Sequence, residues 1–394
     1  MRRYAYEDVM FVEKLEVHCF RNYSYLCFFP ALKSLIVGDN GQGKTNLLEA
    51  LVLLAYGRSF RASYLGSLVQ EGKDAASILA WVSDEGKKSN LRLCLNKKEQ
   101  RKFWVNNKRR ASSSMGAELP LIVFSPESLK LLKGAAEHRR YWIDAWLSLC
   151  GQAPIVEAFK KALIQKNKLL KQAQKGDFSL QRARTWLESV NEVFMEKSLA
   201  LAQARMQAVQ DLSLFLEESG AILFKGSKKE LEEVKGSYSL KGWDGKTEQS
   251  VFLRKKLEES FFQEQAVGTS LYGAHRDDLT FFFKGRDSRY FCSQGQQRAL
   301  VLALKIAQSL WLHRVRKKGC LMLLDDVFSE IDKHVVFSLL HFLDKIPSQT
   351  ILTSTKNTAL LRKMSFQVFN LKEGLLRKDI LSERKSPTLG EASI

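Results

Sequence analysis

The chain of 394 residues is poor in cysteine and has no long apolar run, and both shortages exclude classes of protein. Its six cysteines form no C-x-x-C pair, which argues against a structural zinc site and predicts reduced thiols. No apolar run approaches the ~18–20 residues that a membrane span needs. The N-terminal stretch mixes charged with apolar residues and contains no signal-peptide core. Together these features predict a soluble, cytoplasmic protein.

Acidic residues are also scarce: 43 Asp and Glu face 62 Lys and Arg, which gives a formal net charge of +19. Such a balance predicts a polyanionic partner, because Lys and Arg release condensed counterions when they neutralise phosphates. A solvated basic surface is the alternative. The sequence contains no helix-turn-helix, zinc finger or other base-reading module, so DNA would be contacted mainly through its backbone or its junction shape.

The pattern of apolar residues predicts an α/β fold. Alternating runs between 76 and 110, separated by turn-like segments, predict an antiparallel sheet. From 127 to 218 the chain is nearly all helix former, which predicts a helical region, interpreted as a short antiparallel arm. Further strands are expected at 11–17, 34–38, 278–283, 320–326, 349–355 and 366–371, and further helices at 46–56 and 248–265.

The segment GDNGQGKT at 38–45 fits the phosphate-loop pattern G-x-x-x-x-G-K-T, with an apolar strand before it and a helix after it. Glycines let backbone N–H groups turn toward phosphates, Lys44 reaches the β- and γ-phosphates, and Thr45 coordinates Mg²⁺. The sequence therefore predicts ATP and Mg²⁺ as cofactors. The expected nucleotide-binding residues of the loop are Gly38, Asp39, Asn40, Gly41, Gln42, Gly43, Lys44 and Thr45.

A phosphate loop needs an acidic partner at the end of a neighbouring apolar strand. The segment LMLLDD supplies it: Asp325 would hold Mg²⁺ through water, and Asp326 would position the attacking water. The alternative for this pair is a helix-capping role. Because the acids follow the loop at so great a distance in sequence, the helical region is expected to be inserted between two halves of one ATPase core.

A second phosphate-binding helix start is predicted at 293–297, where SQGQQ opens a long amphipathic helix. A helix of this kind followed by an acidic strand is the order in ABC-type ATPases, in which it contacts the nucleotide of a second copy. Ser293, Gly295 and Gln296 would then bind ATP in trans. The alternative is an N-capped helix without a ligand.

Eight motifs, in order along nearly the whole chain, resemble those of the RecF family, which is related to SMC and Rad50 heads. GRSFR and HRDDL together are the most specific of them. The motifs are CFRNY (19–23), GDNGQGKTNLLEA (38–50), GRSFR (57–61), FSPESL (124–129), HRRYWID (138–144), YGAHRDDL (272–279), SQGQQR (293–298) and LLDDVFSEID (323–332).

The resemblance implies an α/β, ABC-type P-loop ATPase head with an antiparallel β subdomain and an inserted helical arm domain. The implied domains are residues 1–126, the N-terminal half of the head; 127–266, the arm; 267–378, the C-terminal half; and 379–394, a flexible tail. Implied catalytic residues are Lys44, Ser293, Asp326 and Thr355, with Thr355 standing where transporters carry a switch histidine. Residues 329–332 resemble the D-loop that crosses the dimer interface.

Further roles follow from the resemblance. Arg21 and Asn22 are expected near the nucleotide base. Arg58 and Arg61 lie where SMC-like heads place a DNA-sensing arginine, with a surface salt bridge as the alternative. Ala274 replaces the proline usual in this family, which loosens a turn. The i,i+4 spacing of Arg140 and Asp144 predicts a salt bridge between them. Candidate DNA-binding residues in the sheet turns are Lys97, Lys98, Arg101, Lys102, Lys108, Arg109 and Arg110.

The implied function is a slow ATPase of recombinational repair and replication-fork restart that supports the SOS response. An ATP-dependent homodimer would clamp gapped DNA and help load recombinase together with RecR and RecO. A scaffold that binds ATP without hydrolysing it is the main alternative, because Asp326 replaces the more usual glutamate. A transporter ATPase subunit fits less well with the basic charge and the arm, and an SMC or Rad50 protein needs a far longer coiled coil.

Overall fold

The computed structural model describes residues 10–177, 179–223, 234–315, 317, 319–328, 331–355 and 365–379. They divide into two compact units. The first draws its described residues from Met1–Ser128, Ile222–Lys225 and Leu312–Ile394, and the second from Leu129–Ala221 and Gly226–Trp311.

The elements are numbered in chain order. The strands are β1 (Phe11–Phe20), β2 (Tyr23–Phe28), β3 (Lys33–Val37), β4 (Ala75–Asp84), β5 (Lys87–Asn96), β6 (Arg101–Val105), β7 (Lys108–Arg110), β8 (Leu121–Phe124), β9 (Lys235–Ser239), β10 (Asp278–Phe283), β11 (Arg286–Asp287), β12 (Leu321–Leu324), β13 (Thr350–Ser354), β14 (Gln367–Lys372) and β15 (Leu375–Lys378). The helices are α1 (Lys44–Tyr56), α2 (Met115–Glu118), α3 (Lys130–Lys133), α4 (Ala136–Leu149), α5 (Ala153–Gln174), α6 (Leu180–Leu223), α7 (Gln249–Glu259), α8 (Phe261–Val267), α9 (Ser288–Phe291), α10 (Gln294–Val315) and α11 (Lys333–Lys345).

A six-stranded sheet in the first unit has the order β15-β14-β3-β13-β12-β8. Its strands are parallel except β15, which pairs antiparallel with β14. The central strands β3, β12 and β13 are almost wholly buried because both faces of a parallel sheet are covered, and β12 is apolar at every residue. This order places the carboxyl ends of β3, β12 and β13 side by side at one edge of the sheet.

A second six-stranded sheet of the same unit is antiparallel, with the order β2-β1-β4-β5-β6-β7. Along β4 the residues Ile78, Ala80 and Val82 are buried, while their neighbours are partly open to solvent. Such alternation is typical of a sheet with one face on the core and one in water. The buried face packs into a core with the apolar helix α1, of which Leu47, Leu51 and Leu54 are wholly buried.

The second unit is mainly helical, with a small antiparallel sheet in the order β11-β10-β9. Buried charges connect its elements. Arg139 of α4 makes two hydrogen bonds, of 2.7 and 3.0 Å, to the carboxylate of Asp278 at the start of β10. Lys166 of α5 and Glu264 of α8 form an ion pair of 2.8 Å in which both side chains are almost fully buried.

Most predicted elements are confirmed, including the antiparallel sheet, the helical region and the strands at 278–283, 320–326, 349–355 and 366–371. The single helix expected at 248–265 is wrong, because Ser260 separates α7 from α8. Strands β2, β8, β9, β11 and β15 were not predicted, and β7 lies where the sequence pattern had indicated a turn. Strand β8 is only four residues long, and β9 contains Gly236 and has no apolar run, so neither has a clear strand pattern.

The two units divide the chain differently from the predicted domains. Residues 267–311, assigned to the ATPase head, belong to the second unit together with the helices. The Arg139–Asp278 contact is one reason, because it joins β10 to α4. As functional domains the limits 1–126, 127–266, 267–378 and 379–394 remain a prediction, and all but the first residue of the proposed tail lies outside the described residues.

The predicted salt bridge between Arg140 and Asp144 is wrong. Asp144 binds Arg205 of α6 instead, through two hydrogen bonds of 2.8 and 3.0 Å. Arg140 donates to the backbone oxygen of Asp277 at 2.7 Å. Tertiary partners thus take precedence over the i,i+4 spacing, because Arg205 is buried and needs a carboxylate beside it.

Candidate functional site

The phosphate loop connects β3 to α1 and is shaped by its glycines. Gly43 is the N-cap of α1 and has φ 108°, a conformation that favours glycine. A Cβ atom at Gly43 would lie 2.6 Å from the side-chain nitrogen Nδ2 of Asn22. Lys44 Nζ donates to the carbonyl oxygens of Gly38 and Asp39 at 2.6 and 2.8 Å, so the ammonium lies over the loop backbone. Burial lowers the pKa of Lys44, and Asp325, Asp326 and Asp39 act in the opposite direction.

The predicted acidic pair lies beside this loop, at the end of β12. Thr45 Oγ1 donates to Asp325 Oδ1 at 3.0 Å, which joins residues 280 positions apart. Burial raises the pKa of Asp325, and hydrogen bonds from Thr353 and Thr45 act against that rise. Hydroxyl and carboxylate oxygens are ligands that Mg²⁺ prefers, so the donor set at Thr45 and Asp325 fits this ion.

Thr353 organises both acids and was missed by the sequence analysis. Its hydroxyl donates to Asp325 Oδ1 at 2.7 Å and accepts a hydrogen bond from the backbone N–H of Asp326 at 3.0 Å. Asp326 has φ 48°, in the left-handed region, where Asp is one of the few tolerated residues. The available signal in the sequence was a hydroxyl residue inside the strand predicted at 349–355.

Arg21 and Asn22 form the two-residue turn between β1 and β2, and the structure places them beside the loop. The Asn22 side chain donates to the backbone oxygen of Gln42 at 3.1 Å and accepts from Asn46 at 2.7 Å. Tyr23 Oη donates to the backbone oxygen of Gly43 at 2.9 Å. The turn therefore holds the loop in place, and contact with a nucleotide base remains a prediction.

Glu49 is the centre of a charged cluster that the sequence analysis also missed. Its fully buried carboxylate binds Arg21 at 3.0 Å and Arg61 at 2.8 Å, and it accepts a hydrogen bond from Ser59. Burial favours a raised pKa for Glu49, but the hydrogen bonds from Arg21, Arg61 and Ser59 outweigh it and lower the pKa. An acid inside the apolar run NLLEALVLL was the available signal.

Of the two arginines considered for DNA sensing, Arg61 forms the salt bridge that was the alternative. Its guanidinium also donates to Asn46 Oδ1 at 2.5 Å. Arg21, Asn22, Asn46 and Arg61 line one shallow groove next to the start of α1. Arg58 lies outside this groove; it is exposed and follows Gly57, the C-cap of α1.

The predicted second phosphate site, at the start of α10, has the geometry of a capping box. Ser293 Oγ accepts from the backbone N–H of Gln296 at 3.3 Å, and Gln296 Oε1 accepts from the N–H of Ser293 at 2.9 Å. Gly295 lies in the first turn between them. Gln297 is buried, and its amide donates to the backbone oxygen of Ser288 at 3.2 Å. Side chains at the start of the helix thus cap it, and a role in binding ATP in trans remains a prediction.

Of the remaining predicted residues, Thr355 and the basic residues of the antiparallel sheet lie on the surface. Thr355 is exposed and directly follows β13. Ser329 and Glu330 of the predicted D-loop lie outside the described residues. The candidate DNA-binding residues occupy the turn between β5 and β6, the start of β6 and the whole of β7, and all are exposed: Lys97, Lys98, Arg101, Lys102, Lys108, Arg109 and Arg110. Arg101 donates to the backbone oxygen of Gly57.

Comparison with known proteins identifies the family. Residues 11–374 match the family model described as RecF/RecN/SMC N terminal domain. The DNA replication and repair protein RecF of Heliobacterium modesticaldum is 32% identical over 353 residues, which are 88% of this chain and 92% of the relative. This chain belongs to the RecF family. The resemblance inferred from the motifs is therefore confirmed.

Solved structures agree with the RecF assignment. The recombination mediator protein RecF with ATP, of the RecFOR pathway, superposes with a TM-score of 0.83 at 25% identity, over 96% of this chain and 100% of that one. The Smc head domain of Pyrococcus furiosus superposes with a TM-score of 0.54 at 16% identity, over 94% and 96% of the two chains, which shows the fold alone. The predicted fold class, an α/β ATPase head with an antiparallel sheet and helical regions, is confirmed.

The RecF-like segment GAHRDD forms part of the buried polar network of the second unit. Ala274, where the family usually has proline, donates its N–H to Ser198 Oγ at 2.8 Å, and its carbonyl accepts from Arg205 at 2.6 Å. A proline could not donate the first of these bonds. The loosened turn stays a prediction, and the bond to Ser198 is a constraint on this backbone that a proline could not make.

Proposed function

We propose that this protein binds ATP and Mg²⁺ in the phosphate loop and hydrolyses ATP slowly as a DNA-repair ATPase. The observation that carries the proposal is the hydrogen bond between Thr45 and Asp325, which brings the loop and the acidic strand end together. The RecF relatives named for DNA replication and repair, and the RecF structure with ATP, support it.

In the proposed reaction Lys44 binds the β- and γ-phosphates, and the backbone N–H groups of the loop bind the remaining oxygens. A bound Mg²⁺, held by Thr45 and through water by Asp325, would neutralise charge on the phosphates. Asp326 would orient and polarise the attacking water, with its backbone fixed by Thr353. Thr355, exposed at the end of β13, would lie near the γ-phosphate.

The start of α10 is proposed to bind the nucleotide of a second copy of the chain. Ser293 Oγ and the N–H groups near Gly295 would exchange their intrahelical partners for the γ-phosphate, aided by the helix dipole. The two copies would then form a head-to-tail dimer that encloses DNA, and hydrolysis would release it. By family resemblance, RecR and RecO are proposed as partners in loading recombinase on gapped DNA.

The test is the mass of the protein in solution, measured by size-exclusion chromatography with light scattering. We expect the wild type to change from monomer to dimer with ATP but not with ADP. Ser293→Arg should remain a monomer with ATP, while its unchanged ATP affinity shows an intact phosphate loop. A Ser293→Arg dimer with ATP, or an equal dimer with ADP, would contradict the proposal.

The non-hydrolysing scaffold remains the second candidate, because Asp326 is shorter than the usual glutamate. Phosphate release by wild type and Asp326→Asn, measured with and without DNA, separates the two. A wild-type rate above that of the variant supports the ATPase, and equal rates with ATP-dependent DNA binding intact support the scaffold.

A further inference from the structure

The outer face of the antiparallel sheet carries tryptophans and cations together. Trp104 of β6 lies directly between Arg92 of β5 and Arg109 of β7 in the strand register. The Arg92 guanidinium carbon is 5.5 Å from the centre of the Trp104 ring. All three side chains are on the face opposite the core, since their neighbours Leu93 and Phe103 are buried. They form a continuous cross-strand row, here called the Trp104 row.

Two strands away, the same face repeats this pairing. Trp81 of β4 is partly open to solvent, with Lys14 Nζ of β1 at 4.6 Å from its ring centre. Tyr25 of β2, 55% exposed, packs against His18 with ring centres 4.9 Å apart. Trp81 and Trp104 are separated by one intervening strand, which corresponds to about 10 Å across the sheet. Rings and cations therefore recur across the whole width of the face.

The face is positively charged. Lys14 and Glu16 form an ion pair of 2.6 Å and largely cancel each other. Arg92, Lys102 and Arg109 are exposed, and Lys102 lies opposite Cys94 on the same face. Lys97 and Lys98, in the turn between β5 and β6, border this surface. A partner of this face must therefore be anionic.

Partly exposed aromatic rings among cations suit a particular kind of polyanion. In single-stranded nucleic acid the flat faces of the bases are available for stacking on Trp, Tyr or Arg planes, and the phosphates bind Lys and Arg. In a duplex the bases are already stacked on each other, so Trp104 and Trp81 would have nothing to contact. Because the rings of Trp104 and Trp81 lie on the same face, one extended strand could contact both.

We propose that the outer face of this sheet binds single-stranded DNA by stacking bases on Trp104 and Trp81, while Arg92, Lys102 and Arg109 contact phosphates. The inference rests on the proposed DNA-repair function and adds to it a position on the molecule and the side chains on which bases would stack. Trp104, Trp81 and Arg92 are not among the candidate DNA-binding residues predicted from the sequence, so the inference gives them a role. A gapped DNA would offer such a single strand next to its duplex.

The experiment measures the affinity for fluorescein-labelled oligo(dT) and for a duplex of equal length by anisotropy. Trp104→Ala should weaken oligo(dT) binding about tenfold or more, since stacking contributes about 1–3 kcal/mol per base. Trp104→Phe should restore most of the affinity, because it restores an aromatic face. Arg92→Ala should lower the slope of log K against log salt by about 0.7, as expected for one lost phosphate contact on a single strand.

The chain offers a matched control on a different surface. Trp186 of α6 is 38% exposed and has the Arg182 guanidinium carbon 4.7 Å from its ring centre. It therefore has the same arginine–tryptophan pairing as the Trp104 row, but on a helix outside the sheet. Trp186→Ala should leave oligo(dT) affinity within about twofold of wild type. Thermal melting of each variant shows whether its fold is intact.

Several outcomes would overturn the inference. One is an equal loss of oligo(dT) affinity in Trp104→Ala and Trp186→Ala. Another is tight duplex binding by the wild type that Trp104→Ala does not change. That second result would remove only the stacking site and leave the proposed DNA clamp intact. Displacement of oligo(dT) by polyglutamate at equal charge concentration would show a site for acidic proteins instead. A wild type that binds neither oligo(dT) nor the duplex would contradict the proposed function itself. In that case, ATP-dependent dimerisation of Trp104→Ala would report separately on the ATPase head.

Discussion

The helices α1 and α10 both begin at a predicted phosphate site, yet their starts are built in opposite ways. At α1 the N-cap is Gly43, and within the described residues no side chain caps the helix. At α10 the side chains of Ser293 and Gln296 satisfy each other's backbone N–H groups. At the start of α1 no cap from a described side chain competes with a ligand for the backbone N–H groups. At the start of α10, a ligand would have to replace the hydrogen bonds between Ser293 and Gln296.

The two helices also bury opposite charges. Glu49 of α1 is neutralised by Arg21 and Arg61. Lys305 of α10 lies over the Trp142 ring, with its ammonium 5.9 Å from the ring centre, and burial lowers its pKa to about 8. A buried charge with ionic partners has its desolvation cost offset by those partners, while a buried charge held over an aromatic ring costs stability as long as it is protonated.

The largest expected effect is that of Gly43→Ala, which should weaken ATP binding by at least about a hundredfold. The left-handed backbone disfavours alanine by about 1–2 kcal/mol, and the added methyl group would collide with Asn22 and Tyr23. Titration calorimetry with ATP measures the loss. Gly41→Ala is the matched control, because its φ is also positive but nothing lies within 4 Å of the added carbon; we expect a loss of only about tenfold. Equal losses would show that backbone conformation alone matters.

Lys305→Met should stabilise the protein by about 3 kcal/mol at pH 7, since a pKa unit corresponds to about 1.4 kcal/mol and the pKa falls from 10.5 to about 8. Between pH 8 and 10.5 the unfolded wild type binds more protons than the folded one, so wild-type stability rises with pH over this window. Urea unfolding at pH 7 and pH 10 measures both. A variant that gains the same stability at both pH values would contradict the role of the charge.

Glu49→Gln should destabilise the protein by about 2 kcal/mol at pH 7, because Arg21 and Arg61 lose their buried partner but can still reach water. The folded pKa of Glu49 is below its usual 4.5, so its contribution is present above pH 4.5 and is lost as pH falls through the folded pKa. The difference between wild type and variant, measured by urea unfolding, should therefore shrink in acid. Glu71→Gln, in the same groove, is the control and should change stability little.

The smallest expected effect is that of Gln296→Glu. It preserves the capping box but places a negative charge where a phosphate is proposed to bind, so ATP-dependent dimerisation should weaken about tenfold while the melting temperature stays unchanged. Light scattering over a range of protein concentrations measures the change. Dimerisation as strong as in wild type would mean that α10 does not approach the phosphate.

Much of the site was predictable because the chemistry of phosphate binding constrains short motifs. The loop, Asp325 and Asp326 were found from GDNGQGKT and LMLLDD, since each needs a fixed residue type beside a strand. Thr353 and Glu49 were missed because their roles depend on which strand or turn lies next to them. The salt bridge of Arg140 failed for the same reason: Arg205, 61 residues from Asp144, takes that carboxylate.

The backbone N–H and the carbonyl oxygen of Ala274 both form hydrogen bonds with side chains of the same helix, α6. Ser198 and Arg205, two turns apart on α6, hold its N–H and its carbonyl oxygen. With 44 residues α6 is about 66 Å long, so it reaches far beyond the turn that it grips. A rotation or shift imposed on α6 by a partner would have to displace this turn and, through Asp278, strand β10.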